Sequence, residues 1–239
     1  MLKILILYCL FLVASGYKSI SIKPGGLKGF YALGICKYIK EHYCLDEYHF
    51  YGSSAGSWNA LYLSMPSTSN HEYYFDKIIK IKENDFENLY DLEKELKQIV
   101  LKQAEQNESI TSLNYKCNIC FSVFKGYKFK KMIKNEFEDW DDLLECCIAS
   151  SHIPKISNNK LFYFYNNQKC IDGGLFRKNY PNHMKPELII SHKMFRNKNI
   201  SKYSNLKHLN IERLIYEGYR DAMSNNNYFE EIFAGEPYV

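Results

Sequence analysis

The chain has 239 residues, 46% of them hydrophobic and 24% charged, proportions that exclude a disordered or collagen-like polymer and suit one globular domain. Its net charge is +4, and only Arg177, Arg196, Arg213 and Arg220 among the 31 basic residues are arginines. That balance excludes nucleic acid as the main partner, because base readout favours the bidentate guanidinium.

At the start, Lys3 precedes an uncharged, mostly apolar run from Ile4 to Ala14, and Ala14-Ser15-Gly16 supplies small residues. This is the pattern of a secretory signal peptide or a short membrane anchor, and it falls short of the roughly 20 residues a spanning helix needs. Residues 1–16 are therefore expected to be a leader and 17–239 the folded domain. The protein would then be secreted or membrane-associated, or cytoplasmic if the segment is not a signal.

The domain opens with Ser19-Ile20-Ser21-Ile22, which alternates as a strand does and runs into the turn Gly25-Gly26-Leu27-Lys28-Gly29. Apolar residues at Leu33, Ile35, Cys36 and Ile39 then keep helical spacing over 30–43. A second short strand, His49-Phe50-Tyr51, meets Gly52-Ser53-Ser54-Ala55-Gly56, after which Trp58 to Leu63 continues as a helix. Residues from about 71 to 147 read as a helical insertion. An amphipathic helix carries Phe86, Leu89, Leu92, Leu96 and Val100, and shorter helices are expected around Phe121–Phe137 and Trp140–Ser150. Strands follow at Leu161–Tyr165 and Lys169–Ile171 around an Asn166-Asn167 turn, then Asp172-Gly173-Gly174, a buried strand at Leu188–Ser191 and a closing helix from Ile211 to Met223. Strands alternating with helices point to an α/β sandwich.

Eight cysteines leave seven once Cys9 is assigned to the leader, an odd number. Cys117 and Cys120 have the spacing of half a zinc site, but no second pair completes it, so no metal is expected. On an export route, one or two disulfides among Cys36, Cys44, Cys117, Cys120 and Cys170 are expected.

Three short motifs carry chemistry. Gly52-Ser53-Ser54-Ala55-Gly56 fits G-x-S-x-G, in which a sharp strand-to-helix turn projects the middle serine and aims a helix N-terminus at developing negative charge. Consecutive glycines at Gly25 and Gly26 let backbone N–H groups approach an oxyanion. Neither the P-loop pattern nor G-x-G-x-x-G is present, which argues against phosphate or dinucleotide binding there. Asp172, after a strand, places a carboxylate where it can take a serine proton. Each motif alone also fits an ordinary turn; their order and context raise all three.

Together they resemble the patatin-like phospholipases, whose pattern is a G-G-x-K/R-G turn, a G-x-S-x-G elbow and a D-G-G/A motif. Here these are Gly25-Gly26-Leu27-Lys28-Gly29, the elbow from Gly52 to Gly56, and Asp172-Gly173-Gly174. Ala149-Ser150-Ser151-His152-Ile153-Pro154 is similar to the block that family places before its aspartate, and Phe30-Tyr31-Ala32-Leu33-Gly34 to the helix after its glycine turn. The likeness spans roughly residues 18–190. Pro24, which has no N–H, stands where many members have another glycine.

The resemblance implies a three-layer α/β/α sandwich with a mostly parallel central sheet. It also implies a Ser54–Asp172 dyad without metal or cofactor, acting on a lipid, most simply a phospholipid at a membrane surface. The N–H groups of Gly25, Gly26 and Leu27 would hold the oxyanion. Lys28 would steady the turn or meet a lipid phosphate. A Ser-Asp-His hydrolase would instead recruit His183, His192 or His208. An inactive lipid-binding relative would use the basic residues that are frequent after Lys169.

Overall fold

A computed structural model describes residues 18–66, 71–81, 86–107 and 109–234. The expected leader, residues 1–16, lies outside the described residues.

Seven strands form one sheet: β1 (Lys18–Ile22), β2 (Tyr48–Ser53), β3 (Cys117–Lys125), β4 (Lys128–Lys134), β5 (Tyr163–Tyr165), β6 (Gln168–Ile171) and β7 (Leu188–Ile190). Their order is β5-β6-β3-β2-β1-β7, with β4 also paired to β3. The neighbours β7, β1, β2 and β3 are parallel, whereas β4, β5 and β6 join antiparallel. The helices are α1 (Gly29–His42), α2 (Ala55–Ser64), α3 (His71–Ile78), α4 (Leu89–Asn107), α5 (Trp140–Ser151), α6 (Ile211–Ser224) and α7 (Asn226–Ile232). A central sheet flanked by helices is the α/β architecture expected.

The central parallel strands β1, β2 and β3 are buried on both faces, whereas the strand expected to be buried at Leu188–Ser191 is the edge strand β7, which exposes Ile189. Ile20, Ile22 and Phe50 are inaccessible to solvent, and so are Ser21 and Ser53 on the opposite side. Such strands need partners for their polar groups. Asn179 supplies several, accepting from the Ser21 hydroxyl at 2.7 Å and donating to the carbonyls of Ile22 and Tyr51 at 2.9 Å. Helix α1 is apolar almost all round, from Phe30 to Ile39, because it lies between the sheet and α6. The α1–α6 crossing is close: a Cβ on Gly34 would sit 2.0 Å from the Ile215 carbonyl oxygen, and one on Gly218 1.9 Å from that of Tyr31.

Two expectations need correction. The stretch around Phe121–Phe137 is not a helix; it is the end of β3 and all of β4, joined at Gly126-Tyr127. The helical insertion therefore stops at Asn107, and a core strand lies inside the range assigned to it. Seven buried residues in a row, Cys117–Val123, show no periodicity because both faces of β3 are covered, and the β4 lysines fall at helix-like intervals. The disulfides are also absent: Cys36, Cys44, Cys117, Cys120, Cys146, Cys147 and Cys170 are all free, and all but Cys44 are buried. They serve as small apolar core residues. Burial pushes the Cys117 and Cys120 thiols up to about 12. Three apart on a strand, these two point to opposite faces.

Candidate active site

Strand β3 brings the site together. Ile119 and Cys120 pair with β2 on one side and with β4 on the other, and Ser122 and Val123 pair with β6 and again with β4. A strand has two edges, so β2 and β6 share the edge that β4 does not use. Strand β2 reaches Ser53 opposite Cys120, and β6 comes from the other direction to Ile171 opposite Ser122. Their ends, Ser54 and Asp172, therefore meet head-on.

Ser54 has φ 55° and ψ −135°, outside the ordinary regions for a residue with a side chain. Strain of about 1–3 kcal/mol is typical of such a position, which persists only when its surroundings enforce it. Here they do. The Ser54 N–H donates to Ser150 Oγ at 2.9 Å, and Ser150 donates to the Cys120 carbonyl at 2.7 Å. The Ser54 carbonyl accepts from the Ser57 hydroxyl at 2.6 Å and its N–H at 2.8 Å. No Cβ fits beside the turn: one on Gly52 would lie 2.1 Å from the Gly56 oxygen, and one on Gly56 2.4 Å from the Ile22 oxygen. Ser53 is buried at the end of β2, out of the site.

The Ser54 hydroxyl faces the Asp172 carboxylate and favours its charged form. Asp172 also accepts from the Gly174 N–H at 2.5 Å, its own N–H donates to the His152 carbonyl at 2.8 Å, and its carbonyl accepts from Ser122 Oγ at 2.9 Å. Burial raises its pKa above the usual carboxylate value, and the Ser54 hydroxyl and the Gly174 bond offset only part of that. Gly173 is required where it stands, since a Cβ there would lie 2.1 Å from the Cys120 oxygen.

The turn at Gly25–Gly29 faces the same end of the sheet. Gly26 has φ +52°, and residues Gly26–Lys28 form one 3-10 turn that leads into α1. The N–H groups of Gly25, Gly26 and Leu27 meet no acceptor among the described residues. Asn59 of α2 donates to the Gly29 carbonyl at 3.0 Å, and a Cβ on Gly29 would overlap that of Ala55 at 2.4 Å, so turn and elbow are in contact. Lys28 reaches away to Ser201 Oγ at 3.1 Å.

Gly26, Leu27 and Ser54 line an apolar cavity together with Leu33 and Trp58 below and Leu92, Glu93 and Leu96 of α4 above. Glu93 is the exception in this lining. It is buried beside Ser151, and one carboxyl oxygen has no partner. Ser151 Oγ already donates to the Cys147 carbonyl at 3.0 Å. Burial, with the Asp172 charge nearby, holds the Glu93 pKa well above the usual value. The carboxyl thus holds its proton to higher pH in the fold than in the unfolded chain, which opposes folding above its ordinary pKa of 4.5; below that value both states are neutral and the cost vanishes. Glu93→Gln is accordingly expected to raise the melting temperature at about pH 8, with the gain fading toward about pH 4. A melting series across that range checks this, and a variant no more stable than wild type at the alkaline end refutes it.

Glu93 and Ser150 carried no role in the sequence reading. Glu93 had a signal, because it lies four residues after Leu89 and three before Leu96, on the apolar stripe of α4. The three candidate histidines stay apart from the pair: His183 and His208 are exposed, and His192 neighbours Pro24 and Lys28. Among the described residues, none of them hydrogen-bonds to Ser54 or Asp172.

The family model for patatin-like phospholipases matches residues 20–183, a span that contains glycine turn, elbow and aspartate motif. The chain belongs to the patatin-like phospholipase family. No curated protein matches this patatin-like chain. Among solved structures it is similar to a chain of the heterodimeric ExoU–SpcU complex from the type III secretion system of Pseudomonas aeruginosa. That match has a TM-score of 0.43 and 13% identity, over 92% of this chain and 52% of the other. The patatin-like chain thus spans about half the length of that protein.

Proposed function

We propose that the protein is a lipid acyl hydrolase of the phospholipase A or lysophospholipase type, working through a Ser54–Asp172 dyad. The observation that carries this reading is the strained Ser54 facing the half-buried Asp172 carboxylate, with N–H groups at the glycine turn beside it that meet no acceptor among the described residues. Asp172 takes the Ser54 proton as Oγ attacks the ester carbonyl. The N–H groups of Gly25, Gly26 and Leu27, together with the N-terminus of α2, receive the oxyanion. The alcohol leaves with the proton from Asp172, and a water activated by the same carboxylate then releases the fatty acid from Ser54. The apolar cavity between α2 and α4 suits an acyl chain, which supports a lipid over a polar ester.

A fluorophosphonate probe tests the nucleophile. Wild type is expected to be labelled and to release fatty acid from phospholipid or lysophospholipid, and Ser54→Ala to lose both, with hydrolysis down by about a thousandfold or more. Labelling that survives Ser54→Ala excludes the assignment.

A further inference from the structure

Beyond its catalytic level the sheet continues. Cys120 is level with Ser53, yet β3 runs on for five more residues, about 16 Å at strand rise, before turning back as β4. The β5–β6 hairpin lies alongside on the other edge. The result is a small antiparallel extension that rises from the end of the sheet where Ser54 sits.

Its composition is unlike the rest of the surface. No Asp or Glu occurs from residue 117 to 135 or from 153 to 171, and those stretches carry eight lysines. Lys134, at the base, is paired with Asp142 at 2.7 Å. Lys125, Lys128 and Lys130, toward the tip, have no ion pair among the described residues. Aromatic rings stand among them. Tyr127 is 95% exposed and Phe164 65%, and strand alternation puts Phe164 on the same face as the adjacent Phe124 and Phe129.

The two hairpin turns make an informative comparison. Both have two central residues at positive φ. At the β5–β6 turn these are Asn166 and Asn167, which tolerate that region well. At the β3–β4 turn they are Gly126 and Tyr127, and Tyr127 has φ 63° with its ring in solvent. A bulky residue there is strained and gains no contact within the fold.

We infer that the β3–β4 hairpin, with Phe164 beside it, docks the protein on an anionic lipid surface. Lysines would meet the headgroups and Tyr127 the interface, leaving the catalytic end of the sheet against the membrane. Free lysines without acidic neighbours are complementary to anionic lipid, and tyrosine is the side chain that suits a half-wet, half-apolar boundary. This inference rests on the lipid-hydrolase reading for its purpose and on the extension alone for its geometry.

The test is sedimentation of the protein with vesicles of phosphatidylcholine alone or with about 30% phosphatidylserine. Wild type is expected to bind the anionic vesicles, and added salt to release it. Replacing Lys125, Lys128 and Lys130 by Gln should weaken binding by roughly fivefold per lysine, on the order of a hundredfold together. Tyr127→Asn, which suits the turn, should weaken it without harming the fold. Both variants should hydrolyse a short, soluble ester within about twofold of wild type. Equal binding to neutral vesicles, undiminished binding by the triple variant, or burial of this face in a dimer would overturn the inference. Wild type that binds anionic vesicles yet cleaves neither soluble ester nor phospholipid would refute the hydrolase reading and leave the docking surface standing; Ser54→Ala should bind as wild type does.

Discussion

Asp172→Asn is expected to cut ester hydrolysis by about a thousandfold or more while the protein stays folded. The amide can still accept the Gly174 N–H but cannot take a proton from Ser54. The pH profile separates this from mere disturbance. The base works only when ionised, so activity is present above its pKa and lost as pH falls through it. Burial raises that pKa, so the acid limb of kcat/KM should lie at higher pH than an ordinary aspartate would give, and residual activity of the variant should lack it. The same burial makes the charge a cost to folding at neutral pH, so Asp172→Asn should match or exceed wild type in melting temperature. A variant that keeps both its turnover and the acid limb would remove Asp172 from the mechanism.

The second large effect belongs to a residue with no functional group. Gly56→Ala would place a methyl 2.4 Å from the Ile22 oxygen and 2.9 Å from that of Lys23, both backbone atoms of β1 and the start of the glycine turn. Neither can rotate away, so α2 must shift against the sheet. Crowding of this kind costs about 1–3 kcal/mol, and displacement of the elbow by even about 1 Å is expected to lower kcat by roughly a hundredfold. Denaturant melts and turnover measured on one preparation check it. A variant with wild-type stability and rate would show that elbow and glycine turn move independently.

Much of this was legible in the chain because the informative residues are local. Glycines mark the places where backbone meets backbone, Ser54 and Asp172 lie inside short motifs, and α1, α5 and α6 show helical spacing within a residue or so of their ends. Strand β3 was not legible. Its two-sided burial erases the alternation that identifies a strand, and its partners come from sequence positions as distant as Phe50 and Ile171. Glu93 escaped for a related reason. A carboxylate on a charged-looking helix is read as solvated until the packing of α4 over the cavity shows otherwise. Ser150 belonged to a motif whose purpose, bracing the Ser54 N–H, exists only once α5 lies beside β3.

Because Ser54 and Asp172 are both fastened to one edge of β3, their alignment owes nothing to α4, which only roofs the cavity. If the proposed mechanism holds, the chemistry and the choice of acyl group are carried by separate mechanical parts. On the proposed mechanism, residues such as Leu92 and Leu96 can be exchanged with Ser54 and Asp172 still in register. On that reading the fold is a chassis on which the chamber can be reshaped for a different acyl group through the residues that α4 presents to it.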